Sequence, residues 1–260
     1  MAKTKITILG CGSSLGVPRI DGYWGRVNKS NIKNHRTRCS IFVKYNNLNL
    51  LVDTSPDLKS QLLKNKISNI DSVIISHDHA DQTHGINELR PFFWKNQKKI
   101  PLYCDRKTFK VLYKSFTYLF RTVDKFYKPI LEKKIFKDFF FLKKKDIKIL
   151  FKVIKVKHGN IYANAFRFND IAYVSDCSYL SKVNIKQLKN LKVLIIDCLK
   201  FKKHKTHLSY HETIKYIKVL KPKKAILTNL HSDIDYNVLK KKISKYKNIY
   251  PAYDGLKLTV

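Results

Sequence analysis

Two histidines and an aspartate at alternate positions, His77, His79 and Asp81, stand just behind an apolar run, so a tight turn can aim two imidazoles and a carboxylate inward. His158, Asp176 and His231 each follow a later apolar run in the same way, and Asp53 lies upstream. Imidazole and carboxylate are the donors that zinc, manganese and iron accept. A pair of such ions clamps the attacking and leaving oxygens of a displacement, so the set reads as a two-metal hydrolase site. Isolated histidine pairs arise easily by chance. A triplet behind one strand, with three further donors behind later strands, does not.

The elements that must position these residues are β-branched or apolar stretches at 5–9, 40–45, 48–52, 72–75, 152–156, 171–174, 193–196 and 224–227. The first leads into a glycine and serine loop. The second and third read as a hairpin around Asn46-Asn47 that delivers Asp53. The remaining stretches deliver the histidine cluster, His158, Asp176, Asp197 and, through Thr228-Asn229, His231. Segments 56–66 and 210–220 carry apolar residues at helical spacing, so helices should flank the sheets in a layered α/β packing. The stretch 106–145 is dense in lysine and aromatics and holds no ligand candidate. It reads as a helical insertion plus a hairpin near the site mouth, serving either as a lid or as an ordinary cover for the sheet.

A chain of 260 residues fits one domain, 1–260, with a substantial core. The net charge of +34 comes almost wholly from lysine, with Ile, Asn, Phe and Tyr abundant, a profile that a background of A- and T-rich codons produces without a polyanion partner. The field still favours anionic substrates. Five scattered cysteines, with no CxxC pair, suggest buried reduced thiols rather than disulfides or a cysteine zinc site. The N-terminus lacks an apolar signal core, and no uninterrupted span is long enough to cross a bilayer, so the expectation is a cytoplasmic protein without a membrane partner. The oligomeric state stays open, a homodimer included.

The cluster from His77 to Gln82 resembles the HxHxDH signature of the metallo-β-lactamase-fold hydrolases, and the likeness covers nearly the whole chain. It implies a four-layered αββα sandwich with metals at one edge, between the sheets. His77, His79 and His158 would hold one ion, Asp81 and His231 the second, and Asp176 would bridge them, with Asp53 in support. Gly10-Cys11-Gly12-Ser13-Ser14-Leu15-Gly16-Val17-Pro18, Asp53-Thr54-Ser55-Pro56-Asp57 and Thr206-His207-Leu208-Ser209 narrow the likeness. They resemble the branch containing the phosphoribosyl cyclic phosphate phosphodiesterases, which is related more distantly to tRNA 3′-end nucleases. The segment Tyr23-Trp24-Gly25-Arg26-Val27-Asn28 lacks the cysteine cluster that holds an extra structural zinc in that branch.

Gln82 stands where the signature has a histidine, and an amide oxygen is the poorer zinc donor, although manganese tolerates it. The expectation is therefore two divalent ions, zinc or manganese, with the second weakened at Gln82 if that residue ligates at all. Asp81 and Asp176 would stay ionised beside the cations, and His207 is the candidate general acid, with His204 and His211 as rivals. His84 would brace the histidine loop, while Arg36 and Arg38 either hold a substrate phosphate or are solvated. The reading is a phosphodiesterase for a small cyclic or nucleotide-like phosphate. The alternatives are an RNA-processing nuclease, or a basic nucleic-acid-binding protein whose site decayed through Gln82.

Overall fold

The computed structural model describes residues 3–123 and 125–260. Apolar alternation along β1 (Thr4–Gly10), β2 (Ser40–Tyr45) and β3 (Leu48–Val52) builds an antiparallel meander. β4 (Ser72–Ile74), β5 (Ile100–Cys104) and β6 (Leu131–Ile135) extend it in parallel. The second sheet repeats the plan. β7 (Phe139–Lys144), β8 (Ile147–His158), β9 (Ile161–Phe168) and β10 (Ile171–Val174) are antiparallel, and β11 (Val193–Asp197), β12 (Lys224–Thr228) and β13 (Ile249–Pro251) continue in parallel. The last strand, β14 (Lys257–Thr259), returns to pair with β1 of the first sheet.

Parallel neighbours need crossover connections, and these supply the outer layers. Leu58 and Leu62 of α1 (Leu58–Lys64), Phe92 of α3 (Arg90–Asn96) and Leu112 of α4 (Arg106–Ser115) pack on Leu51, Val73 and Leu102 of the first sheet. Between α1 and α3 lies the one-turn α2 (Ala80–Thr83). On the second sheet, α5 (Lys182–Gln187), α6 (Tyr210–Leu220) and α7 (Tyr236–Ile243) cover Leu194, Ile196 and Leu227, with Ile214, Ile217 and Leu239 buried there. The inward faces meet through Ile6, Ile41 and Val43 against Phe151, Phe166 and Ile195. These three apolar cores define four layers, so the expected αββα sandwich is the one found.

The hairpin read within 106–145 does not form there. β6 joins the edge of the first sheet and β7 the edge of the second, so the segment crosses between sheets, and the hairpin is β7 with β8. The cause is burial: Phe140 and Leu142 of β7 enter the core between the sheets, whereas Leu131 of β6 enters the core beneath the helices. All five cysteines are buried and unpaired. No helix among the described residues is long and apolar enough to cross a membrane.

Candidate metal centre

The histidine loop leaves β4 at Ile75-Ser76 and is fixed from below by Asp53. Asp53 adopts a left-handed backbone at φ 65°, which an aspartate tolerates better than most residues, and its Oδ1 accepts from the Ser76 N–H at 2.7 Å. Thr54 N–H donates to the Gln82 carbonyl at 2.8 Å, and Gly85 N–H donates back to the Thr54 carbonyl at 2.9 Å. Gly85 is required by this closeness, since a Cβ there would sit 1.9 Å from the Ser55 carbonyl oxygen. Exposed His84 turns its Nδ1 to the adjacent Thr83 hydroxyl at 3.1 Å.

His158 is the last residue of β8, and Asp176 lies two residues beyond β10, so both come from the second sheet. Ligand nitrogens of His77, His79 and His158 lie within 4.8 Å of one another. The arrangement fits a cation. His158 donates its Nδ1 proton to the Thr206 carbonyl at 2.7 Å, which leaves Nε2 bare, 3.4 Å from Nδ1 of His79. His77 is buried, with Nδ1 beside the Ser76 hydroxyl at 3.0 Å and Nε2 without any hydrogen-bond partner. Bare imidazole nitrogens turned toward one point are costly without a cation and are the donor set that a divalent metal takes. An orienting bond on the opposite ring nitrogen is the usual support for such ligands.

Protonation follows the same logic. Burial pushes His77 down to about 4, and burial also lowers His158, so both stay neutral and able to ligate. Burial raises Asp81, and the neighbouring Asp176 carboxylate adds to this. For Asp176, burial works upward, but His77, His207 and His158 outweigh it and hold the carboxyl below its ordinary value.

His207 enters the same cavity of about 340 Å³, lined also by Ser14, His79, Asp81, His158 and Asp176. Its Nδ1 contacts Oδ2 of Asp197 at 2.8 Å, and that carboxylate also accepts from the Cys177 N–H at 2.9 Å. Burial opposes the imidazolium, yet Asp197 prevails and raises His207 to about 9. Burial lifts Asp197 to about 6, so at neutral pH the pair is an ionised carboxylate holding an imidazolium.

Several sequence readings land elsewhere. His231 joins neither group of converging ligand atoms, His77 with His79 and His158 or His158 with Asp176 and His207, and does not line the cavity. Its Nδ1 accepts from the Asp233 N–H at 3.1 Å, and its own N–H is tied to the Leu199 carbonyl at 2.9 Å. The residue at the end of β12 that reaches the centre is Asn229, at φ 60°, with Nδ2 3.1 Å from the Ser175 carbonyl and 3.4 Å from Oδ1 of Asp176. Arg36 is buried and serves the scaffold, donating to Asn34 Oδ1 at 2.9 Å and to the His231 carbonyl at 3.2 Å. Arg38 pairs with Asp57 at 3.0 Å. His204 turns to Thr206, and His211 packs on Tyr210. Asp197 and Asn229 were the residues without an assigned role; an acid closing the apolar run Val193-Leu194-Ile195-Ile196 was the available signal for Asp197.

Residues 48–229, which contain this whole donor set, match the Beta-lactamase superfamily domain. The chain belongs to the β-lactamase superfamily. The αββα sandwich and the histidine cluster make it a hydrolase of the metallo-β-lactamase fold within that superfamily. It is similar to a solved diphosphatase of the PhnP family, with 28% identity and a TM-score of 0.88 over 100% of this chain and 98% of that one. It also resembles zinc-bound PqqB from Methylobacterium extorquens in fold, with 14% identity and a TM-score of 0.77 over 98% and 99% of the two chains. An octanoyltransferase of Porphyromonas gingivalis is 23% identical over 98% of this chain. The match spans about half of that relative, 51% of its length.

Proposed function

We propose that this hydrolase is a metal-dependent phosphodiesterase acting on a small anionic diester, cyclic or nucleotide-like. The observation that carries the reading is that His79 and His158 line one cavity, with His77 converging on them from beneath, while His207, held by the Asp197 carboxylate, enters the same cavity. The likeness to a diphosphatase supports phosphorus chemistry, and the net charge of +34 favours anionic ligands. The cavity's volume of about 340 Å³ suits a single small ester.

His77, His79 and His158 would hold a zinc or manganese ion, with Asp176 beside them. Such an ion lowers the pKa of water and offsets charge on phosphoryl oxygens. The chain's own groups do the rest. Asp197 keeps His207 protonated and fixes its ring through Nδ1, so Nε2 is left to give its proton to the departing alkoxide. The Thr206 carbonyl orients His158 from the same loop, coupling the acid to the cage.

The test is a panel of cyclic phosphates, nucleotides and RNA with zinc or manganese added. Diester cleavage is expected, falling by orders of magnitude in Asp176→Ala. Unchanged turnover in that variant, or a purified protein that takes up no ion, would sink the reading.

A further inference from the structure

A second divalent ion beside the first would have to use Asp81 and Asp176, the remaining acids lining the cavity. A second group of ligand atoms among the described residues, His158, Asp176 and His207, also converges within 4.8 Å but shares His158 with the first. Gln82 inserts its amide nitrogen between the two acids, with Nε2 3.0 Å from Oδ2 of Asp81 and 3.5 Å from Oδ2 of Asp176. Asn229 occupies the other oxygen of Asp176 through Nδ2 at 3.4 Å. The Ser175 carbonyl at 3.1 Å accepts from the same nitrogen and so fixes which end of that amide faces the carboxylate. An amide nitrogen has no lone pair to give a metal, because it is delocalised into the carbonyl, and its partly positive hydrogens solvate the carboxylates where a cation would otherwise sit. Nδ1 of His207 is committed to Asp197, and His231 lies outside the ligand groups.

We propose that this chain is a one-ion enzyme: Gln82 and Asn229 fill the second metal's place with two amide donors that hydrogen-bond to Asp81 and Asp176. The inference rests on the metal-dependent reading above, because it assigns a single ion to His77, His79 and His158. It revises the two-ion expectation, and the reason extends beyond Gln82, since restoring a histidine there alone would still leave Asn229 donating to Asp176. The unpartnered Oε1 of Gln82 marks the rival arrangement. Turned over, the amide would set that oxygen against two carboxylates, an arrangement that a second cation between them would stabilise.

Ion counting separates the two. Full-length protein is dialysed against excess zinc, or excess manganese, desalted, and measured by elemental analysis and native mass spectrometry. One ion per chain is expected, an isolated rather than exchange-coupled manganese signal in electron paramagnetic resonance, and loss of that ion in His77→Ala. Gln82→Met should keep the single ion. The double variant Gln82→His, Asn229→His should take two, and histidine is among the side chains that tolerate the left-handed backbone of Asn229. Two ions in the wild type, or loss of the ion in Gln82→Met, overturns the proposal. A folded double variant that still holds one ion overturns the assignment of these amides as the block. No ion in the wild type instead defeats the metal-dependent reading itself, so the two failures are distinguishable.

Discussion

His207 owes its proton to Asp197, and its role can be read from the leaving group. In His207→Gln, diesters that expel an alkyl alkoxide should slow by about 10²–10⁴-fold, the usual contribution of a positioned acid. Bis(p-nitrophenyl) phosphate, whose leaving group needs no proton, should lose far less. Equal losses on both substrates would show that His207 acts otherwise. Asp197→Asn should copy this pattern, because it removes the charge that raises His207 to about 9 while leaving an oxygen for Nδ1.

Between residue and fold stands the histidine loop, whose shape depends on contacts no side-chain pattern announces. Gly85→Ala should cost about 3 kcal/mol or more, since backbone must move to admit the methyl group, and it should weaken zinc binding together with thermal stability. A thermal melt and a zinc titration read both effects; a variant as stable as wild type would mean that the loop yields easily. Elements with strong local signals were legible in advance. The apolar spacing over 210–220 marked α6 to the residue, and Ser209 and Glu212 form a reciprocal cap at its start. β6 and β7 were harder, because Leu131-Glu132-Lys133-Lys134-Ile135 and the run of phenylalanines in β7 do not say which sheet each edge will join. That choice is made by burial far along the chain. His77, His79 and Asp81 were legible for the converse reason: three donors behind one strand need no long-range information. His231, expected as a ligand, lies outside the converging atoms, and the left-handed turn at Asn229 brings that side chain to Asp176 instead.

At the scale of the molecule, the C-terminal return is held by Asp254. Its carboxylate accepts from the N–H groups of Cys11 at 3.0 Å and Thr37 at 2.7 Å and from the Thr37 hydroxyl at 2.6 Å. Burial nevertheless raises it from 3.8 to about 6. A carboxyl with a raised folded value stabilises fully only below its unfolded value and loses that contribution as pH rises through the folded one. At about 1.4 kcal/mol per pH unit, the loss between pH 4 and 7 is about 3 kcal/mol. Urea unfolding of wild type and Asp254→Asn across that window should diverge by this amount on top of a constant offset. Parallel curves would mean that Asp254 does not titrate there.

β14 is made last and yet belongs to the sheet made first. The C-terminal half of the chain therefore carries an edge strand of the N-terminal half's sheet, like a clasp closed over it. A protease site engineered at the exposed Lys137-Asp138 crossing should yield two fragments, 1–137 and 138–260, that travel together through gel filtration. Deleting β14 should make the nicked protein fall apart at dilutions where the intact clasp keeps it whole.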